Sequence, residues 1–127
     1  MKLSNNFNRK EFECRCGCKM PPDVLVSTFR LAENVQAIRD YFNAPITINS
    51  AYRCKKHNAS VGGKKSSFHI KGLASDLDVH GYSPEEVKEG IESLIKQGKI
   101  LQGGVGLYNT FVHYDIRRTK ARWDFRE

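Results

Sequence analysis

The stretch "SSFHIKGLASDLDVHG", residues 66–81, crowds potential metal ligands into a short span. His69 closes a polar segment, and Asp76, Asp78 and His80 then follow at alternate positions. That alternation has the period of a β-strand, with Leu77 and Val79 on one face and Asp76, Asp78 and His80 on the other. Gly72 lies between, where a glycine lets the chain turn back so that His69 and Asp76 face one point. A catalytic zinc usually takes three protein ligands from His, Asp, Glu or Cys and leaves a fourth position for water. His113 completes a two-histidine, one-aspartate set if its strand lies beside that of Asp76. A solitary histidine is more often a surface or core residue than a ligand, so spacing alone leaves the set undecided.

Working outward, residues 1–20 read as irregular and end in "MPPD". From Asp23, the apolar positions Val24, Leu31, Val35, Ile38 and Phe42 recur at helical spacing and form one stripe, with Pro45 just beyond. "ITINSAYR" (46–53) is rich in β-formers and predicts a strand running into a loop. "CKKHNASVGGKKSSF" (54–68) carries polar and glycine punctuation and predicts an exposed loop. A second helix starts after Ser83, which can cap it, with Pro84 in the first turn and Glu86 completing a capping box. Val87, Ile91 and Leu94 give its buried stripe, and Gly98 ends it. "GGVGLY" and "TFVHYDIR" predict two closing strands. In the second, Phe111, His113, Asp115 and Arg117 share one face, and Val112, Tyr114 and Ile116 the other. This order predicts an α+β fold: a small antiparallel sheet with helices packed on one side, in a single domain over residues 1–127.

The chain has 127 residues, 39% hydrophobic and 28% charged, which suits a globular domain and excludes a disordered one. No run reaches the length of a membrane span, so we expect no membrane insertion. "MKLSNNFNRKEF" lacks the apolar core of a secretory signal, and no signal peptide is expected. A net charge of +7 favours an anionic partner: nucleic acid, anionic lipid or the bacterial cell wall. The basic residues are scattered, with clusters at Lys55–Lys56, Lys64–Lys65 and "RRTKAR" (117–122), and a solvated surface is the plainer reading of each. Of the four cysteines, Cys14, Cys16 and Cys18 alternate in "ECRCGC", and Cys54 stands apart. Alternate cysteines do not easily pair with each other, and one-residue gaps fit the usual spacing of zinc sites poorly. Reduced thiols, one disulfide to Cys54, and a metal site drawing on Cys54 or His57 all stay open.

The motifs carry a family resemblance. "SFHIKGLASD" (67–76) fits the S-x-H-x-x-G-x-A-x-D pattern of the zinc D-Ala-D-Ala carboxypeptidases and related phage endolysins, which share the hedgehog-type peptidase fold. "GGVGLYNTFVHYDIR" (103–117) resembles the G-x-G-x-Y…F-x-H-x-D-x-R segment of one phage and bacterial branch. "INSAYRCKKHNASVGG" (48–63) resembles the family's approach to the first zinc ligand, and "NFNRKEFECRCGC" (6–18) its usual opening. The likeness runs in order along nearly the whole chain.

Carried onto these positions, the resemblance implies that His69, Asp76 and His113 hold Zn2+. It implies that Arg53 binds or polarises the substrate beside the scissile bond, a role that suits a planar, permanently charged guanidinium. Ser67 and Gly72 shape the ligand loop, and Asp78 supports a ligand such as His69, whose second ring nitrogen must be held. The implied reaction is hydrolysis of peptide bonds in bacterial peptidoglycan by metal-activated water, either as a D-Ala-D-Ala carboxypeptidase or as an endopeptidase. Many members place an acidic base three residues before the last zinc histidine. That position is Thr110 here, followed by Phe111 and Val112, none of which takes a proton from water. Asp115 lies two residues beyond His113 on the same strand face, roughly 6–7 Å away along the chain. We expect it to act as base or orienter, with His80 the other candidate base.

Two readings follow. One is a peptidoglycan hydrolase of phage or prophage origin, a monomer that stays in the cytoplasm until released and then acts on the cell wall. The other is a non-catalytic zinc module, as in the hedgehog signalling domain, that binds cell wall or a protein partner. A nucleic-acid-binding domain built on the cysteines and "RRTKARW" leaves the His–Asp–His triplet unexplained, so no nucleic-acid partner is expected.

Overall fold

From the N-terminus, Lys2–Ser4 (β1) and Phe7–Asn8 (β2) pair as a small antiparallel hairpin, and Arg9–Phe12 (α1) follows as a single turn. This segment is therefore not irregular. Its elements are too short to show a period, and side chains fix them: the Glu11 carboxylate accepts the Asn8 N–H at 2.8 Å. Leu3, Phe7 and Phe12 are buried in the main core. The computed structural model describes all 127 residues.

The stripe beginning at Val24 becomes the long helix Pro22–Phe42 (α2), which closes with Asn43 in the left-handed conformation at φ 48°. Ile46–Ser50 (β3) is the expected strand, and residues 51–53 are the loop it runs into. Lys55–Ser60 (α3) is helical where a loop was expected. The reason lies in its partners. Asn58 is buried, donates to the Lys64 carbonyl at 2.8 Å and accepts from Arg53 at 3.4 Å, contacts that composition cannot reveal. Ala74–Val79 (β4) follows, then Pro84–Lys96 (α4) with the expected Ser83–Glu86 capping box. Gly104–Leu107 (β5), Val112–Asp115 (β6) and Ala121–Asp124 (β7) complete the chain.

Strands β3 to β7 form one five-stranded sheet in the order β3-β4-β6-β5-β7. Every pair is antiparallel except β5 and β7, which run parallel, so the sheet is mixed at this edge. The fold is α+β. Helices α2 and α4 cover one face, where Ile46, Ile48, Leu77, Val79, Val105, Leu107, Val112 and Tyr114 are buried in one continuous core. Each fully buried aliphatic side chain contributes about 1.5–3 kcal/mol, so the register is strongly fixed. A slip of one residue would turn Leu77 and Val112 outward. That same register commits the alternate residues of β4 and β6 to the opposite, helix-free face. Asp76 sits directly across from His113.

Candidate active site

His69 reaches this face through a run of tight turns between Lys64 and Leu73. Gly72 adopts φ +73°, and a Cβ there would lie 2.7 Å from Val24 Cγ1 and 2.8 Å from Thr28 Oγ1. Only glycine satisfies both the turn and its close seat against α2. The Arg53 N–H donates to the His69 carbonyl at 3.1 Å, and the His69 ring Nδ1 lies 2.7 Å from the Ala51 carbonyl oxygen. A carbonyl accepts only, so Nδ1 carries the proton and Nε2 keeps its lone pair.

His113 is fixed in the complementary way. Its Nε2 lies 2.7 Å from Asp115 Oδ2, which leaves Nδ1 as the free nitrogen. Both lone pairs converge on Asp76 Oδ1: His69 Nε2 at 3.4 Å and His113 Nδ1 at 3.3 Å. Three electron-rich atoms at such separations repel one another unless a proton or a cation lies between them. A tetrahedral zinc with ligand bonds of about 2.0–2.1 Å separates its ligand atoms by about 3.3 Å. The three residues fit that group. Asp76 Oδ2 turns the other way, 3.5 Å from Arg53 Nη2, while Arg53 Nε donates to Ser50 Oγ at 3.0 Å.

The family model described as Peptidase M15 matches residues 4–115. The chain belongs to the M15 peptidase family. A curated relative, the probable peptidoglycan L,D-endopeptidase MepK of Haemophilus influenzae, is 36% identical over 104 residues, covering 76% of this chain and 50% of the relative. The chain thus spans about half the length of the curated relative it matches.

Within this M15 domain, Asp115 is fully buried behind His113. Its Oδ1 accepts from the Gly104 N–H at 2.9 Å, the Arg117 N–H at 3.1 Å and Arg117 Nε at 2.9 Å. Its Oδ2 accepts from Arg117 Nη2 and His113 Nε2, each at 2.7 Å. Burial by itself would raise this carboxyl, but the bonds from His113, Arg117 and Gly104 more than reverse that and hold it well below the usual carboxylate range. Asp76 behaves alike: burial opposes its charge, and the two histidines outweigh it and lower its pKa. In the metal-free protein, burial disfavours charge on His113, and the bonds to Asp115 and Asp76 prevail and raise its pKa.

Asp78 does not support His69. It is exposed on β4 opposite Thr47, and the Ala51 carbonyl holds the ring instead. His80 is exposed just past β4, with its N–H bonded to Pro45, and it does not line the cleft beside His113. Ser67 accepts the His69 N–H at 3.2 Å, at the foot of the ligand loop. A cleft of about 520 Å³ opens beside His113, walled by Phe68, Tyr108 and Trp123 and edged by Arg53, Lys64 and Arg117.

Sequence reasoning missed Trp123. It packs against the His113 ring with centroids 5.0 Å apart and covers Gly106, where any Cβ would strike the indole. The alternate glycines of "GVG" were the available signal: a strand without side chains on one face leaves room for a large neighbour. The basic cluster "RRTKAR" is partly structural. Arg117 serves Asp115, and Arg122 donates to both Glu92 oxygens, at 2.8 and 2.7 Å.

Proposed function

We propose that this chain is a zinc-dependent peptidase that hydrolyses peptide bonds of bacterial peptidoglycan. The observation that carries the reading is the convergence of His69 Nε2, Asp76 Oδ1 and His113 Nδ1, spaced as ligands of one tetrahedral cation. When bound, zinc supplies Lewis acidity that polarises a peptide carbonyl and makes water nucleophilic near pH 7.

The chain's own residues prepare that chemistry. Asp115 is the orienter: it holds the proton on His113 Nε2, and Arg117 keeps its charge in place. With five donors around it and no exposure, it is not free to take a proton from water. Arg53, already beside Asp76, presents its guanidinium at the cleft and is placed to stabilise charge developing on the carbonyl oxygen. Ser67 sets the ligand loop and borders the cleft. Arg53, Lys64 and Arg117 give the cleft a cationic rim suited to a peptide bearing free carboxylates, as peptidoglycan stems do. The relative named as an L,D-endopeptidase favours an endopeptidase over a carboxypeptidase. All groups come from one chain, so a monomer in one domain suffices. The endolysin-like motifs extend the proposal to a phage or prophage enzyme that meets the wall after release from the cytoplasm.

One observation favours the alternative, a binding module: no carboxylate lines the cleft. Digestion of purified peptidoglycan distinguishes the two. The wild type should release new amino termini detectable by mass spectrometry, and His113→Ala should release none and lose the metal. A wild type that holds zinc at this centre yet releases no termini from any wall preparation would replace the peptidase with the binding module.

A further inference from the structure

The second cluster of metal-ligating side chains lies outside the cleft. The sulfurs of Cys14, Cys16, Cys18 and Cys54 all lie within 4.8 Å of one another. Cys14 and Cys16 are 3.2 Å apart, Cys16 and Cys54 3.5 Å, and Cys14 and Cys54 3.9 Å, with all four as free thiols. Two separate disulfides would draw the sulfurs into pairs of about 2.05 Å. Instead each sulfur faces three others. A tetrahedral zinc with Zn–S bonds of about 2.3 Å separates its sulfurs by about 3.8 Å, close to the 3.5 and 3.9 Å from Cys54 and somewhat longer than the 3.2 Å between Cys14 and Cys16.

We propose that Cys14, Cys16, Cys18 and Cys54 form a structural zinc site, distinct from the His69–Asp76–His113 centre.

The backbone is arranged for it. Alternate cysteines in an extended strand point to opposite sides, which argues against a shared site. The chain is not extended here: the Gly17 N–H bonds to the Cys14 carbonyl at 3.0 Å, and Gly17 itself takes φ +85°. That turn folds Cys16 and Cys18 onto the same side as Cys14. Cys54 arrives from the opposite direction as the residue that caps α3. Two backbone amides point at sulfur: Cys54 N–H at Cys14 Sγ and His57 N–H at Cys54 Sγ, each at 3.4 Å. Such donors stabilise thiolates and are the usual supports of a thiolate-bound metal. His57 thus takes part through its amide and not its ring. Arg15, Lys19, Lys55 and Lys56 flank the four cysteines in sequence and offset the net negative charge of four thiolates on one divalent ion. Cys16 is exposed, which gives the ion an entry path.

The site would clamp the N-terminal arm to the segment feeding the cleft. Cys54 directly follows Arg53, and the Tyr52 N–H already bonds to the Phe12 carbonyl at 3.0 Å. Zinc across the four sulfurs closes a loop from residue 14 to residue 54 and should stiffen both ends of it.

The test is metal analysis on the full chain purified under anaerobic conditions without added reductant. The wild type should hold about two equivalents of zinc, His113→Ala about one, and Cys16→Ser/Cys18→Ser about one. Cobalt(II) loaded into His113→Ala should show the sulfur-to-metal charge-transfer band of a tetrahedral thiolate site, a readout that needs no turnover and no intact catalytic centre. Thiol titration of the denatured, unreduced wild type should find all four cysteines free once zinc is chelated. Loss of the cysteine-bound zinc should lower the unfolding midpoint by on the order of 10 °C. A single zinc that His113→Ala removes entirely, with no thiolate band from cobalt, overturns the proposal. So does a thiol count short of four in a metal-free wild type, which would assign the cluster to a disulfide.

Discussion

Asp115→Asn is the sharpest perturbation of the site, because it changes one atom and no volume. Five donors surround the carboxylate, three at Oδ1 and two at Oδ2. An amide replaces one acceptor oxygen with an NH2 group, so one set of donors must face a donor. If the NH2 turns to the Oδ2 side, His113 can bond to it only by making Nε2 an acceptor. That moves the ring proton to Nδ1 and removes the lone pair aimed at the metal. If the NH2 turns to the other side, it opposes Gly104 and Arg117, and the part-buried guanidinium loses its full counter-charge. Breaking one partner of a buried ion pair costs about 3–5 kcal/mol, and loss of a group supporting a metal ligand costs about 10–100-fold in metal affinity. Competition with a chromogenic chelator reads the affinity, and thermal unfolding of the metal-free protein reads the stability. Both should fall, and peptidoglycan cleavage should be recoverable in part by adding zinc. A variant that keeps wild-type zinc affinity but loses cleavage would refute the orienter role and make Asp115 the base. Unchanged affinity, stability and cleavage would refute the reasoning altogether.

Gly72→Ala should destabilise by about 2–4 kcal/mol, from a left-handed backbone and overlap with Val24 and Thr28; a midpoint shift below a few degrees in a thermal melt would contradict this. Arg53→Lys should lower kcat by about 10²-fold while leaving zinc content intact, since a lysine cannot reproduce the planar fork; equal kcat with a raised KM would show that Arg53 only binds. Stability of the metal-free protein should drain away in acid. Folding lowers the pKa of Asp76 and Asp115, so their contribution is complete above the unfolded value of about 4 and is lost as pH falls below it. His113, whose pKa is raised, contributes below about pH 6.5 and loses that contribution as pH climbs through its folded value. Melts of the metal-free wild type and Asp115→Asn from pH 7 to pH 3 check the acid limb, where the variant should show the shallower fall.

The parts legible in the sequence were those fixed by local periodicity. The stripe from Val24 to Phe42 and the Ser83–Glu86 cap required only neighbours along the chain, and both became helices. The alternation of β4 and β6 placed Asp76 and His113 on the face opposite Leu77 and Val112, and the antiparallel register then made them neighbours. What stayed hidden depends on contacts distant in sequence. α3 owes its shape to Asn58 and its partners at Arg53 and Lys64, not to propensity. Asp78 looked like support for His69 because it shares a strand face with Asp76, yet a backbone carbonyl from Ala51 takes that role. A carbonyl has no sequence signature. Trp123 was read within a basic cluster, since nothing local says that β7 pairs in parallel with β5 and lays an indole over Gly106.

Residues 51 to 54 tie these pieces together. The Ala51 carbonyl selects the tautomer of His69, the Tyr52 N–H holds the N-terminal arm through Phe12, Arg53 reaches Asp76, and Cys54 joins the four-cysteine cluster. Consecutive residues therefore face alternately the cleft and the arm, so a displacement at one end must be felt at the other. A shift of Cys54 by an ångström would carry Arg53 with it through one peptide link, and misplacement of that size near reacting atoms costs on the order of 10²-fold in rate. If zinc occupies the cysteines, its removal should thus lower kcat without emptying the His69–Asp76–His113 centre. Loss of the catalytic metal, in contrast, should leave the cysteine site loaded. The two metal occupancies are independent because the residue that links them, Arg53, is a ligand in neither site, so the effect is on rate and not on binding.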